Sequence, residues 1–99
     1  MSLTKELLEA IKDENLSKEQ LEDYYTKICQ LRSDLSLAIA ELVKKEAVFM
    51  GEPSEKSVAS IKIDWKKTAE GQKLIEYKGL YGALSNAKDG IKNRIYSKL

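Results

Sequence analysis

The strongest constraint on what this chain can fold into is a run of apolar residues at alternating steps of three and four. Leu21, Tyr24, Ile28, Leu31, Leu35, Ala38, Leu42 and Phe49 follow this pattern, with Lys45 its one charged break. The spacing places them on a single stripe of an α-helix, one that keeps facing a partner helix over many turns. Signals at both ends bound the helix. Ser17 followed by Gln20 forms a capping box, and Leu16 with Leu21 forms a hydrophobic staple, so the helix begins at Lys18. Gly51, read as a left-handed residue after the last turn, and then Pro53 supply the stop near residue 50.

A second long stripe closes the chain. Leu74, Tyr77, Leu80, Tyr81, Leu84, Ala87, Ile91 and Ile95 predict a helix over about 69–98, with Thr68 as its cap. Gly79, Gly82 and Gly90 interrupt it at about 1 kcal/mol each relative to alanine if exposed, a cost that calls for a compensating role. Gly79, Ala83 and Ala87 stand four apart, and Ser36, Ala40 and Ala47 form a similar ridge on the preceding long helix. Two backbones are therefore expected to approach closely along these rows. At the N-terminus, Leu3, Leu7, Leu8 and Ile11 predict a short helix over about 3–14, with Ser2 or Thr4 at its start and Asn15 at its end. Residues 51–68 form a connector in which Val58, Ile61 and Trp65 suit a helix, whereas Ile61, Ile63 and Trp65 alternate like a strand. A short helix or turn is favoured there, with Trp65 anchoring it to the core.

These elements describe one all-α domain: a short helix and two long antiparallel helices. Charge supports the pairing. Residues 1–65 carry nine Lys/Arg against thirteen Asp/Glu, and residues 66–99 carry eight against three, although the whole chain is only +1. An acidic helix beside a basic one follows, with basic side chains facing Glu22, Asp34 or Glu41.

Composition removes several kinds of chemistry. Histidine is absent and Cys29 is the only cysteine, which excludes an internal disulfide, a Cys/His zinc site within one chain and an imidazole triad. Cys29 is expected to be a buried reduced thiol. Ser85–Lys88 and Ser2–Lys5 match S-x-x-K without the other elements of such a site. The carboxylates Glu19, Glu22 and Asp23, like Glu6, Glu9 and Asp13, read as solvated faces, since a di-metal site needs Glu-x-x-His partners. Neither phosphate-cradling glycine loop occurs. No enzyme activity, cofactor or metal is expected. The longest near-apolar stretch, Leu35 to Val43, is far short of the roughly 20 residues that span a bilayer, and the N-terminal residues carry no signal-peptide core. A cytoplasmic location without membrane contact is the expectation.

Two sets of residues are candidates for binding. Lys73, Lys78, Lys88, Lys92, Arg94 and Lys98, interleaved with Tyr77, Tyr81 and Tyr96, suit phosphate contacts and base stacking on single-stranded nucleic acid. Lys73 and Arg94 nevertheless flank the apolar seam on one side and Lys78 and Lys92 on the other, as helix-interface side chains do. Tyr25, Gly79, Ala83 and Ala87 are candidates for contact between subunits, because one short and two long helices leave apolar stripes uncovered.

A capped helix carrying Tyr24-Tyr25, the connector Ser54-Glu55-Lys56-Ser57-Val58-Ala59 and a basic closing stretch Gly90-Ile91-Lys92-Asn93-Arg94-Ile95 complete the plan. Over residues 17–97 it resembles small helical proteins of bacteriophages, the phage recombination mediators being the nearest family. That resemblance implies a homo-oligomer that binds single-stranded DNA and loads a recombinase, with Lys88, Lys92 and Arg94 as contacts. The residues themselves point first to a non-enzymatic, self-associating binding or adaptor protein acting on a larger protein partner, with single-stranded DNA binding as the alternative.

Overall fold

The computed structural model describes residues 2 to 98, which form helices and, among the described residues, no strand. In chain order these are α1 (Ser2–Ala10), α2 (Lys18–Gly51), α3 (Val58–Lys67) and α4 (Ala69–Ser97). The two long helices pack side by side. They run antiparallel: Arg32 of α2 meets Tyr81 and Ser85, while Lys45, further along α2, meets Glu70 at the start of α4. The result is a rod of 60 × 19 × 18 Å.

Helix α2 starts where its sequence signals place it. Ser17 Oγ accepts from the Gln20 N–H at 3.1 Å, and Gln20 Oε1 accepts from the Ser17 N–H at 2.8 Å, so two otherwise orphaned donors are satisfied reciprocally. Its end differs from expectation. Gly51 lies inside the helix, and no described residue has a positive φ. The chain leaves through Glu52, which is extended (φ −68°, ψ 139°). A residue preceding proline clashes with the proline ring in the α region, so Pro53 alone explains the stop.

The second half of the connector resolves as helix α3. Ser57 Oγ accepts from the Ser60 N–H at 3.2 Å and starts α3. Val58, Ile61 and Trp65 follow the helical alternative, which leaves Ile63 on the solvent side. Trp65 is buried against Leu42 and Leu74, and its ring lies 5.5 Å from that of Phe49. Thr68 then joins α3 to α4 with no intervening loop. Its N–H and hydroxyl both donate to the Trp65 carbonyl, at 3.0 and 2.6 Å, while its Oγ1 accepts from the Gly71 N–H at 2.9 Å.

Helix α1 is shorter than its apolar spacing suggests, ending at Ala10 instead of near residue 14. Asp13 Oδ1 accepts from the Asn15 N–H at 2.9 Å and turns the chain toward α2. Thr4 lies within the helix and caps nothing; its buried Oγ1 has no hydrogen-bond partner among the described residues.

The main core joins all three of α1, α2 and α4 through Leu7, Leu16, Leu21, Ile28, Leu35, Leu84 and Ile91. Each fully buried Leu or Ile contributes roughly 1.5–3 kcal/mol relative to exposure. A smaller cluster of Leu42, Trp65 and Leu74 closes the α3 end.

Candidate functional site

The basic residues of α4 do not form one surface. At 100° per residue Lys78 and Lys92 project from one side of the helix, and Lys73 and Lys98 from the other. All four are exposed, and Lys88 is half-buried. Among the described residues Lys73, Lys78, Lys88 and Lys98 take part in no ion pair or side-chain hydrogen bond, while the Lys92 ammonium lies 6.0 Å from the Tyr96 ring. The expected pairing of these cations with Glu22, Asp34 and Glu41 is therefore corrected. Glu22 pairs with Lys18 on its own helix at 3.8 Å, and Asp34 accepts from Gln30 at 3.1 Å. The ion pair between the long helices has the opposite polarity: Lys45 of α2 meets Glu70 of α4 at 3.4 Å. Lys45, the charged break in the α2 seam, thus closes the α3 end of the rod.

Arg94 has a structural role that its sequence surroundings conceal. Its guanidinium donates to the Ile11 carbonyl at 2.7 Å and the Asp13 carbonyl at 2.6 Å, satisfying backbone groups left beyond the end of α1. A rigid planar fork is pre-organised to serve two such acceptors at once. The lone arginine of the basic segment is thereby engaged inside the chain.

A second arginine clasps the middle of the rod. Arg32 donates to Ser85 Oγ at 3.1 Å and to Tyr81 Oη at 3.2 Å, and its guanidinium carbon lies 5.0 Å from the centre of the Tyr81 ring. Ser85 donates its hydroxyl to the Tyr81 carbonyl at 2.9 Å. The hydroxyl of the Ser85–Lys88 motif is thus bonded to backbone and arginine, and Lys88 is not among its partners. Among the described residues no group of three or more acidic or cysteine side chains is placed to hold a metal ion. Nor is any helix long and apolar enough to cross a membrane.

The subunit-contact candidates divide. Tyr25 and Ala87 are half-buried and pack against the chain's own core, as does Tyr24. Ala83 is half-buried, whereas Gly79 is exposed. A Cβ built on Gly79, Gly82 or Gly90 would meet nothing within 4 Å, so these glycines do not bring α2 and α4 together. The close approach is at Gly71, where a Cβ would lie 2.0 Å from the Trp65 carbonyl oxygen. Cys29 also departs from expectation. Its thiol is free but half-buried, because residue 29 turns about 100° away from the buried Ile28.

What the structure does assemble is an unpartnered outer face on α2. Asp34, Leu37, Glu41, Lys44, Val48 and Gly51 are all exposed and recur at steps of three and four. They lie roughly opposite the buried Leu35 and Leu42. Leu37 and Val48 are 69% and 68% exposed, whereas Leu21, Ile28 and Leu35 on the same helix are fully buried. The outer face of α4 carries Ile75, Gly79, Gly82, Asn86, Gly90 and Asn93, all exposed and uncharged.

Comparison with protein-family models, with curated proteins and with solved structures finds no match to the chain.

Proposed function

We propose that the protein is a non-enzymatic, self-associating helical binding protein, an adaptor whose long helices offer their outer faces to a second copy. The observation that carries this reading is the exposed position of Leu37 and Val48 on the side of α2 that α4 does not cover. A helix with apolar side chains on two opposite faces is suited to two partners, and α4 satisfies only one of them. The exposed glycines of α4 fit the same reading: their cost of about 1 kcal/mol each brings no packing within a single chain.

Sedimentation equilibrium over a dilution series tests the proposal. The weight-average mass of the wild type should rise above 11.2 kDa with concentration, and Leu37→Asp with Val48→Asp should hold it there. A wild type that stays at 11.2 kDa at every concentration refutes self-association.

The lysines without partners on α4 support a second reading, single-stranded DNA binding. Its contacts are Lys73, Lys78, Lys88 and Lys98, together with Lys92 beside the Tyr96 ring, with Arg94 reserved for α1. A phosphate-driven complex weakens steeply with salt, so the absence of binding to labelled single strands at low salt eliminates this reading.

A further inference from the structure

The α2 outer face has an internal symmetry that specifies how a second copy would sit on it, and this inference rests on the self-association just proposed. Numbered along the helix, the seam is Asp34, Leu37, Glu41, Lys44, Val48 and Gly51. Reading it from either end gives the same sequence of spacings. Placed antiparallel about a twofold axis between residues 42 and 43, Leu37 falls opposite Val48 of the second copy. Glu41 falls opposite Lys44, and Asp34 opposite Gly51. Each pair repeats on the other side of the axis, as an isologous contact requires.

We propose that two copies of this chain associate through this seam, antiparallel and in this register. Charge complementarity selects the arrangement. In a parallel pair Glu41 faces Glu41 and Lys44 faces Lys44, and like charges at a shared seam position repel. In the antiparallel pair each carboxylate meets an ammonium. Neither group is already committed: among the described residues Glu41 and Lys44 have no ion-pair or hydrogen-bond partner, and the neighbouring Lys45 is held by Glu70. The apolar Leu37–Val48 layers then shield the two ion pairs from both ends.

The seam from 34 to 51 is about 26 Å long and about 12 Å wide. That is well under the ~800 Å² per partner of a standard stable interface, so the complex is a reversible dimer that grows with concentration. Its shape is distinctive. The axis lies towards the α3 end of the rod, so the opposite ends project outwards to a length of about 80 Å, against 60 Å for one chain.

Charge exchange tests the register. Glu41→Lys alone and Lys44→Glu alone each set like charges opposite one another twice, and each should weaken dimerisation on the order of tenfold. The double variant Glu41→Lys/Lys44→Glu should restore it to near the wild-type value. Both positions are exposed, and circular dichroism of each variant verifies that the helices are intact. Association in the wild type that neither single variant weakens, or that the double variant fails to rescue, overturns the register while leaving self-association standing. A wild type monomeric throughout overturns both. Small-angle scattering provides a second readout: a dimer no longer than about 60 Å means rods overlapped along their full length and contradicts the antiparallel seam in this register.

Discussion

Replacing Gly71 by alanine should destabilise the fold, although alanine is the better helix former. The added Cβ would sit 2.0 Å from the Trp65 carbonyl oxygen, 2.8 Å from the Trp65 carbonyl carbon and 3.1 Å from the Lys66 Cα. All three are backbone atoms, so no side-chain rotation relieves the clash. Ordinary contact begins near 3.4 Å, which requires the last turn of α3 and the first turn of α4 to separate by about 1.4 Å. The two hydrogen bonds made by the Thr68 hydroxyl span this gap at 2.6 and 2.9 Å and would be lost, at about 1 kcal/mol each. Looser packing of Trp65 adds about 1–2 kcal/mol. Alanine's helix propensity returns at most about 1 kcal/mol. The net loss is about 2–3 kcal/mol, or a fall in Tm on the order of 10–20 °C for a domain of this size. Thermal unfolding followed by circular dichroism at high dilution measures it, with Gly79→Ala as control. The control should raise Tm, since its Cβ meets nothing within 4 Å. A Gly71→Ala variant as stable as wild type would refute the close approach of α3 and α4.

Other perturbations probe the remaining contacts. Arg94→Lys should cost about 2–3 kcal/mol, because an ammonium cannot reproduce the two-pronged bond to the Ile11 and Asp13 carbonyls; amide hydrogen exchange should accelerate in α1 before it does in α2. Thr4→Val should stabilise the protein by about 1 kcal/mol by replacing a buried hydroxyl without a partner by a methyl of similar shape, and an unchanged or lower Tm would show that the hydroxyl is satisfied. The Lys56 ammonium, 2.7 Å from Asp64, donates a hydrogen bond that holds the Asp64 carboxyl below the usual aspartate range. A lowered folded-state pKa means that the pair's support is complete above the unfolded value and is lost as pH falls through the folded one. Carboxyl NMR should therefore show Asp64 titrating at lower pH than an unpaired aspartate, and Lys56→Ala should return it to the ordinary range.

The parts of this architecture legible in sequence are those set by neighbours. Ser17 and Gln20 are three residues apart, and the apolar stripes of α2 and α4 are periodic, so local geometry identifies helices and core together. The direction of each polar side chain depended on partners far along the chain. Arg94 looks like one more cation in a basic run until α1 folds back and brings the Ile11 and Asp13 carbonyls to it from more than 80 residues away. Gly79 and Gly71 look alike as helix glycines, yet one faces solvent and the other faces the backbone of a helix joined at a corner without a loop. The seam of Leu37, Glu41, Lys44 and Val48 was hidden for a related reason. Its three-and-four spacing runs parallel to the core stripe, and only the position of α4 shows which stripe is covered.

The twofold seam can be trapped chemically. In a Cys29→Ser background, Leu37→Cys and Val48→Cys variants are prepared separately, one with a mass tag, then mixed and oxidised. The antiparallel register sets position 37 opposite position 48 but leaves two copies of position 37 about 16 Å apart along the axis, beyond the 4.4–6.8 Å Cα separation of a disulfide. The account predicts crosslinks between the two variants and few within either; crosslinking of each variant to itself, or none in the mixture, would contradict it.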